Sequence, residues 1–111
     1  MQPRLRPGEF VFAVGEVDGA EALVREEEGV SVVLDRGRAD ELGLSYDFVA
    51  AWITLSVHSA LEAVGLTAAV AAALTEAGIS CNVIAGYHHD HLLVPADRGE
   101  EAVAVLRGLS T

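Results

Sequence analysis

Three histidines and an aspartate fall within four consecutive positions, His88, His89, Asp90 and His91, directly after Tyr87. Imidazole nitrogens with a carboxylate form a donor set for zinc or nickel, so the run could hold a metal. In an extended hairpin, however, His89 and His91 share a face while His88 points away, and a tight turn seldom brings all four to one ion. The metal reading therefore narrows to His89 and His91, against a solvated hairpin tip or a subunit contact as the plainer role.

A second constellation surrounds Val64-Gly65-Leu66-Thr67, which opens a helix. Its unpaired N–H groups and the helix dipole favour an anion, and Gly65 permits close backbone approach. Glu62 could meet an ammonium group, and Asn82 offers a donor and an acceptor together. His58 and Ser59 stand at the end of the preceding strand, close to the same helix mouth. One strand end, one helix start and a neighbouring strand thus converge on a spot that suits the two charged ends of a free amino acid. Each residue also has a plainer role: Gly65 eases the turn, Thr67 caps the helix, Glu62 is solvated and Asn82 satisfies backbone at a strand start.

Catalysis has thinner support. His58 with Ser56 or Ser59 could act as base and nucleophile, but neither a GxSxG elbow nor a GxxxxGK[ST] phosphate loop is present. Cys81 lies in an apolar strand, where a thiol is usually inert packing. A non-catalytic protein with no cofactor is expected.

The elements that must position these residues follow from periodicity. After an irregular lead-in over 1–9, residues 10–14 (FVFAV) have the composition of a short buried strand. Residues 22–26 and 30–34 flank the charged tip Glu27-Glu28-Gly29 as a hairpin. Residues 35–37 break the strand, and a helix of one or two turns over 39–43 ends at Gly43. Residues 48–58 then alternate, with Ile53, Leu55 and Val57 on one face and Trp52, Thr54, Ser56 and His58 on the other. Leu66, Val70, Ala73, Leu74 and Ala77 recur at helical spacing before Gly78. Strands at 79–87 and 91–95 flank the histidine corner, and a helix over 100–109 carries Ala102, Val103, Leu106 and Leu109 on one face.

The second half reads strand, helix, strand, strand, helix: a ferredoxin-like βαββαβ unit without its last strand. An α+β fold of two interlocked units, with antiparallel sheets, closes that gap. Residues 1–47 form a reduced first unit, and residues 48–111 form a second unit completed by the strand at 10–14.

Charge and composition exclude several partners. Seventeen acidic residues oppose seven arginines, a net charge of -10 that repels phosphate backbones and anionic lipid. No nucleic-acid or membrane partner is expected, because no apolar run reaches the ~20 residues of a span. Arg4 and Arg6 precede no signal-like apolar segment, and the lone Cys81 suits a reducing compartment, so a cytoplasmic location is expected.

Across residues 51–55, 59–67, 77–82 and 86–91 (AWITL, SALEAVGLT, AGISCN and GYHHDH), the chain resembles the ACT domain family, and in particular small bacterial proteins of two ACT-like units. Residues 6–12 (RPGEFVF) and 25–29 (REEEG) are similar to the first unit of that group, although residues 16–21 are too short for its usual first helix. The resemblance implies a regulatory ferredoxin-like fold that binds amino acids where ACT units meet, commonly in a homodimer. A pure protein-interaction module is the alternative implied function.

Overall fold

A computed structural model describes residues 2–56 and 65–109. In chain order the elements are β1 (Gln2–Leu5), β2 (Phe10–Val14), β3 (Ala22–Glu26), β4 (Gly29–Asp35), α1 (Arg36–Glu41), β5 (Val49–Ser56), α2 (Leu66–Glu76), β6 (Asn82–Ala85), β7 (Asp90–Pro95) and α3 (Gly99–Gly108). A 3-10 turn, Ala96–Arg98, leads into α3. They group into two compact units: residues 8–50, and residues 1–7 with 51–111.

In the unit of residues 8–50, strand alternation builds the core. Val11 and Ala13 of β2 and Val32 and Leu34 of β4 point to one face, where Ala39 of α1 covers them. β3 pairs with β4 from Ala22↔Val33 to Glu26↔Gly29, the expected hairpin with its glutamates at the tip. β2 pairs with Val49 and Ala50, the first residues of β5. Residues 15–21 form a loop where the second unit has a helix, and Val17 and Ala20 pack against the core.

α1 begins at Arg36, three residues before the expected start, because the Asp35 carboxylate accepts the Arg38 N–H at 3.2 Å. At its end the Leu44 N–H reaches the Ala39 carbonyl at 3.0 Å, with Gly43 at φ 70°. That left-handed residue lets the chain bond back on itself. Tyr46 locks the corner: its hydroxyl accepts from Arg36 Nε at 3.0 Å and donates to Asp40 Oδ1 at 2.7 Å, while Arg36 also pairs with Glu9 at 2.9 Å.

The other unit has strand order β1-β5-β7-β6. β1 runs antiparallel to β5 from Gln2↔Ser56 to Leu5↔Ile53, and the Arg6 N–H continues the ladder to Trp52 O at 2.8 Å. This corrects the expected lead-in, and residues 2–5 rather than 10–14 supply the completing strand. Pro3 and two arginines lower the strand signal of β1, yet an edge position tolerates a proline that cannot donate. The boundary also moves: residues 1–7 join the second unit, and the change between units falls after Ala50 rather than after residue 47.

Ile53, Leu55, Leu92 and Val94 face α2 and α3, where Val70, Leu74, Ala102, Val103 and Leu106 complete the core with Ile79. Each fully buried Leu or Val contributes about 1.5–3 kcal/mol. α2 stops at Gly78 (φ 74°), where the Ile79 N–H bonds Leu74 O at 2.8 Å. Arg98 donates to Ala77 O and Gly78 O at 3.1 and 2.9 Å and pairs with Glu101, which fastens the end of α2 to the start of α3. Gly99 lets the start of α3 lie close against β5, since a Cβ there would lie 2.9 Å from Ala51 Cβ. Among the described residues no helix is long and apolar enough to cross a membrane.

Candidate functional site

α2 starts at a glycine, which has no side chain to cap it. Gly65 stands at the N-cap with φ 104°, its carbonyl accepts the Ala69 N–H at 2.9 Å, and no side chain among the described residues caps the helix. Thr67 is the second helical residue, so it does not take the capping role that was its plainer reading. No acidic residue occupies the first turn, which leaves the positive end of the helix dipole unbalanced by its own side chains.

Directly beside this start the side chains close into a narrow seam with no space for a water molecule. Leu66 and Thr67 from α2, Leu55 from β5, Val83 from β6 and Asp90 from β7 line it. Asp90 reaches this side through strand alternation: Asp90, Leu92 and Val94 share one face of β7, and Leu92 and Val94 are core. A helix N-terminus, a hydroxyl and a carboxylate thus meet over apolar side chains.

Of the residues expected at the site, Gly65, Leu66 and Thr67 come together. His58, Ser59, Glu62 and Val64 lie outside the described residues. Asn82 falls on the wrong face of β6: Val83 turns toward α2, so its neighbour Asn82 turns away and pairs across with Leu93. Asp90 was missed because it reads as part of the histidine run, although the pattern Asp90-x-Leu92-x-Val94 could have revealed it.

The same alternation splits the histidines. His91 lies on the face of the sheet opposite the helices, directly across from Ile84. Its Nδ1 sits 3.1 Å from Thr54 Oγ1 and 3.3 Å from Trp52 Nε1, and Trp52 Nε1 also donates to Thr54 Oγ1 at 3.1 Å. Indole N–H only donates, so Nδ1 is an acceptor and neutral His91 carries its proton on Nε2. The Arg6 guanidinium lies 4.8 Å from the centroid of the Trp52 ring. Burial, with the neighbouring positive charges of His89 and Arg6, pushes the His91 pKa down against the opposing pull of Asp90. Gly86 accommodates this ring, since a Cβ there would come within 3.2 Å of His91 Nε2.

The His89 and His91 rings are 6.4 Å apart, and His91 is committed to Trp52 and Thr54. Among the described residues no group of three or more His, Cys, Asp or Glu is arranged to hold a metal. Burial raises the Cys81 pKa and keeps the thiol protonated, consistent with packing.

The antiparallel sheet and its covering helices define an α+β fold of the ferredoxin-like type. The chain belongs to the ACT domain family: one ACT domain model matches residues 48–108 and another residues 1–51. A Vibrio cholerae protein of unknown function, described as a possible transport protein, is 43% identical with a TM-score of 0.87, covering 95% of this chain and 86% of that one. An Agrobacterium tumefaciens protein is 19% identical with a TM-score of 0.78, covering 96% of this chain and 87% of that one. The regulatory subunit of aspartate kinase from Thermus thermophilus is 9% identical with a TM-score of 0.71, covering 96% and 94%. The last two likenesses show the fold alone. Among curated protein sequences none matches the chain. ACT domains are regulatory, and the family membership supports a regulatory, ligand-binding role.

Proposed function

We propose that this protein is a non-catalytic regulator that binds a free amino acid at the mouth of α2. The observation that carries the reading is the α2 N-terminus, with no cap among the described side chains, beside Thr67 and Asp90 over an apolar floor. The ligand carboxylate takes the N–H groups at the start of α2, the ammonium takes Asp90, and the side chain lies over the apolar seam of Leu55, Leu66 and Val83. His58, Ser59, Glu62 and Val64 belong to the proposed contact set.

The protein acts in the bacterial cytoplasm as a homodimer. Supporting the dimer, Val14 and Val24 are 69% and 57% exposed and flank Ser31 in one cross-strand row over β2, β4 and β3. Light scattering on the purified chain should give twice the monomer mass; a monomer removes the dimer from the proposal.

A thermal-shift screen against the twenty amino acids tests the ligand. A ligand at about 100 times its Kd stabilises by roughly 2.7 kcal/mol, an easily measured shift. One or a few small amino acids should raise Tm, and Asp90→Asn should abolish the rise. A flat screen would favour a partner-binding module, and stabilisation by divalent metals alone would favour the His89 and His91 reading.

A further inference from the structure

In the unit of residues 8–50, β2 runs on past one of its two neighbours. It pairs with β4 along its whole length, from Phe10↔Asp35 to Val14↔Ser31, but with β5 only at Phe10↔Ala50 and Val11↔Val49. The chain before β5 bends at Asp47 and stays outside the ladder. Residues 12–14 therefore form a short open edge.

Which backbone groups face that edge follows from two hydrogen bonds. Arg36 N–H donates to Glu9 O and Gly15 N–H donates to Val30 O, both at 2.9 Å, so the odd-numbered residues of β2 bond to β4. Bonding alternates along an antiparallel strand, which turns the N–H and C=O of Phe12 and Val14 outward. Val14 has no hydrogen-bond partner for either group among the described residues. A cavity of about 480 Å³ lies on this side, lined by Phe12, Ala13 and Val14 together with Ser31 and residues 43–47. Successive strand residues face opposite sides of a sheet, so three in a row share one cavity only along the strand's edge. The cavity is thus the gap between the outer edge of β2 and the segment that follows α1.

The hydroxyls of Tyr46 and Ser31 are already engaged, with Arg36 and Asp40 and with Glu26 respectively, so recognition falls to the backbone. Residues 12–14 span about 7 Å, enough to pair with about three residues of an added strand. Asp47 is the one charged residue in the lining, and the whole chain carries a net charge of -10.

We propose that this edge takes an extended, basic segment of a partner protein as an added strand. The N–H and C=O of Val14 bond its backbone, and its β-branched side chains pack beside Phe12 and Val14 as cross-strand neighbours. The acidic field of the chain attracts a basic segment and repels an acidic one.

The test is a titration of the full chain with the capped tripeptide Ac-Val-Lys-Val-NH2 at constant ionic strength, followed by two-dimensional amide NMR. Shifts should concentrate at residues 12–14 and 43–47, and Ac-Val-Glu-Val-NH2 should bind more weakly. Val14→Ala keeps the outward N–H and should keep binding, whereas Val14→Pro should lose about tenfold or more in affinity. Both variants lack the valine side chain, so their difference isolates the N–H, and an outer-edge proline removes no ladder bond. Equal affinity in the two variants, equal binding of the glutamate peptide, or shifts centred on Thr67 and Asp90 would each overturn the proposal. A chain that is dimeric as Val14→Ala, monomeric as Val14→Pro and silent to the tripeptide would give the edge to a second copy and overturn it too. Because this edge belongs to a different unit from the mouth of α2, the result is independent of the amino-acid reading.

Discussion

The two units take equivalent strand orders from different local sequences. Where the second places the eleven-residue α2 between its first two strands, β5 and β6, the first joins β2 to β3 with the seven residues 15–21. A helix covers its sheet and creates an N-terminus; a loop does only part of the first and none of the second. Leu23, on the covered face of β3, is 46% exposed, whereas Leu74 of α2 is fully buried. The first unit compensates with polar fastening, the Glu9–Arg36–Tyr46–Asp40 chain, and the second relies on apolar packing. A helix-mouth cleft therefore exists only where a helix does.

The sharpest way to break this contrast is truncation on both sides. Leu74→Ala should cost about 2–5 kcal/mol in urea unfolding, while Leu23→Ala should stay within about 0.5 kcal/mol. Similar losses from both would mean that the loop covers its sheet as well as α2 does.

Two glycines of α3 provide a smaller step. Gly99→Ala must push against Ala51 and Leu5, at an expected cost of about 1–3 kcal/mol. Gly108→Ala meets nothing within 4 Å and should be neutral or stabilise by up to about 1 kcal/mol. Thermal unfolding of both variants separates close packing from general helix propensity.

Within the polar unit, Tyr46→Phe removes a hydroxyl that both accepts and donates, and should cost about 0.5–1.5 kcal/mol. Unchanged stability would assign the fastening to Glu9 and Arg36 alone.

The smallest expected effect concerns pH. His91 has a folded pKa below its ordinary value of 6.5, so the folded state favours the neutral ring. Its contribution is fully present above pH 6.5 and is lost as pH falls through the lowered folded value. Stability measured from pH 7.5 to 5 should decline, and His91→Gln should flatten the decline. A parallel decline in the variant would place the titration elsewhere.

Much of this was legible in the chain. The helix of Leu66, Val70 and Leu74 shows its period directly, and the β3–β4 hairpin shows its charged tip. Alternation in β5 already separated Ile53 and Leu55 from Trp52 and Thr54. β1 was not legible: four residues containing Pro3 and Arg4 carry little strand signal, and only the available edge of β5 makes them a strand. The early start of α1 escaped because Asp35 looked like a strand breaker until its carboxylate met the Arg38 N–H. Asn82 and Asp90 exchanged places as site candidates for a single reason, the phase of β6 and β7 relative to α2.

The sequence by itself determined the α+β class, the sequential pattern of elements in the second half and the helix opening at Gly65, since these depend on local period and backbone preference. Only the tertiary structure decided which strand completes the second unit and which carboxylate faces the helix mouth. Those outcomes depend on sheet register and on contacts between residues far apart in the chain, which no local pattern specifies.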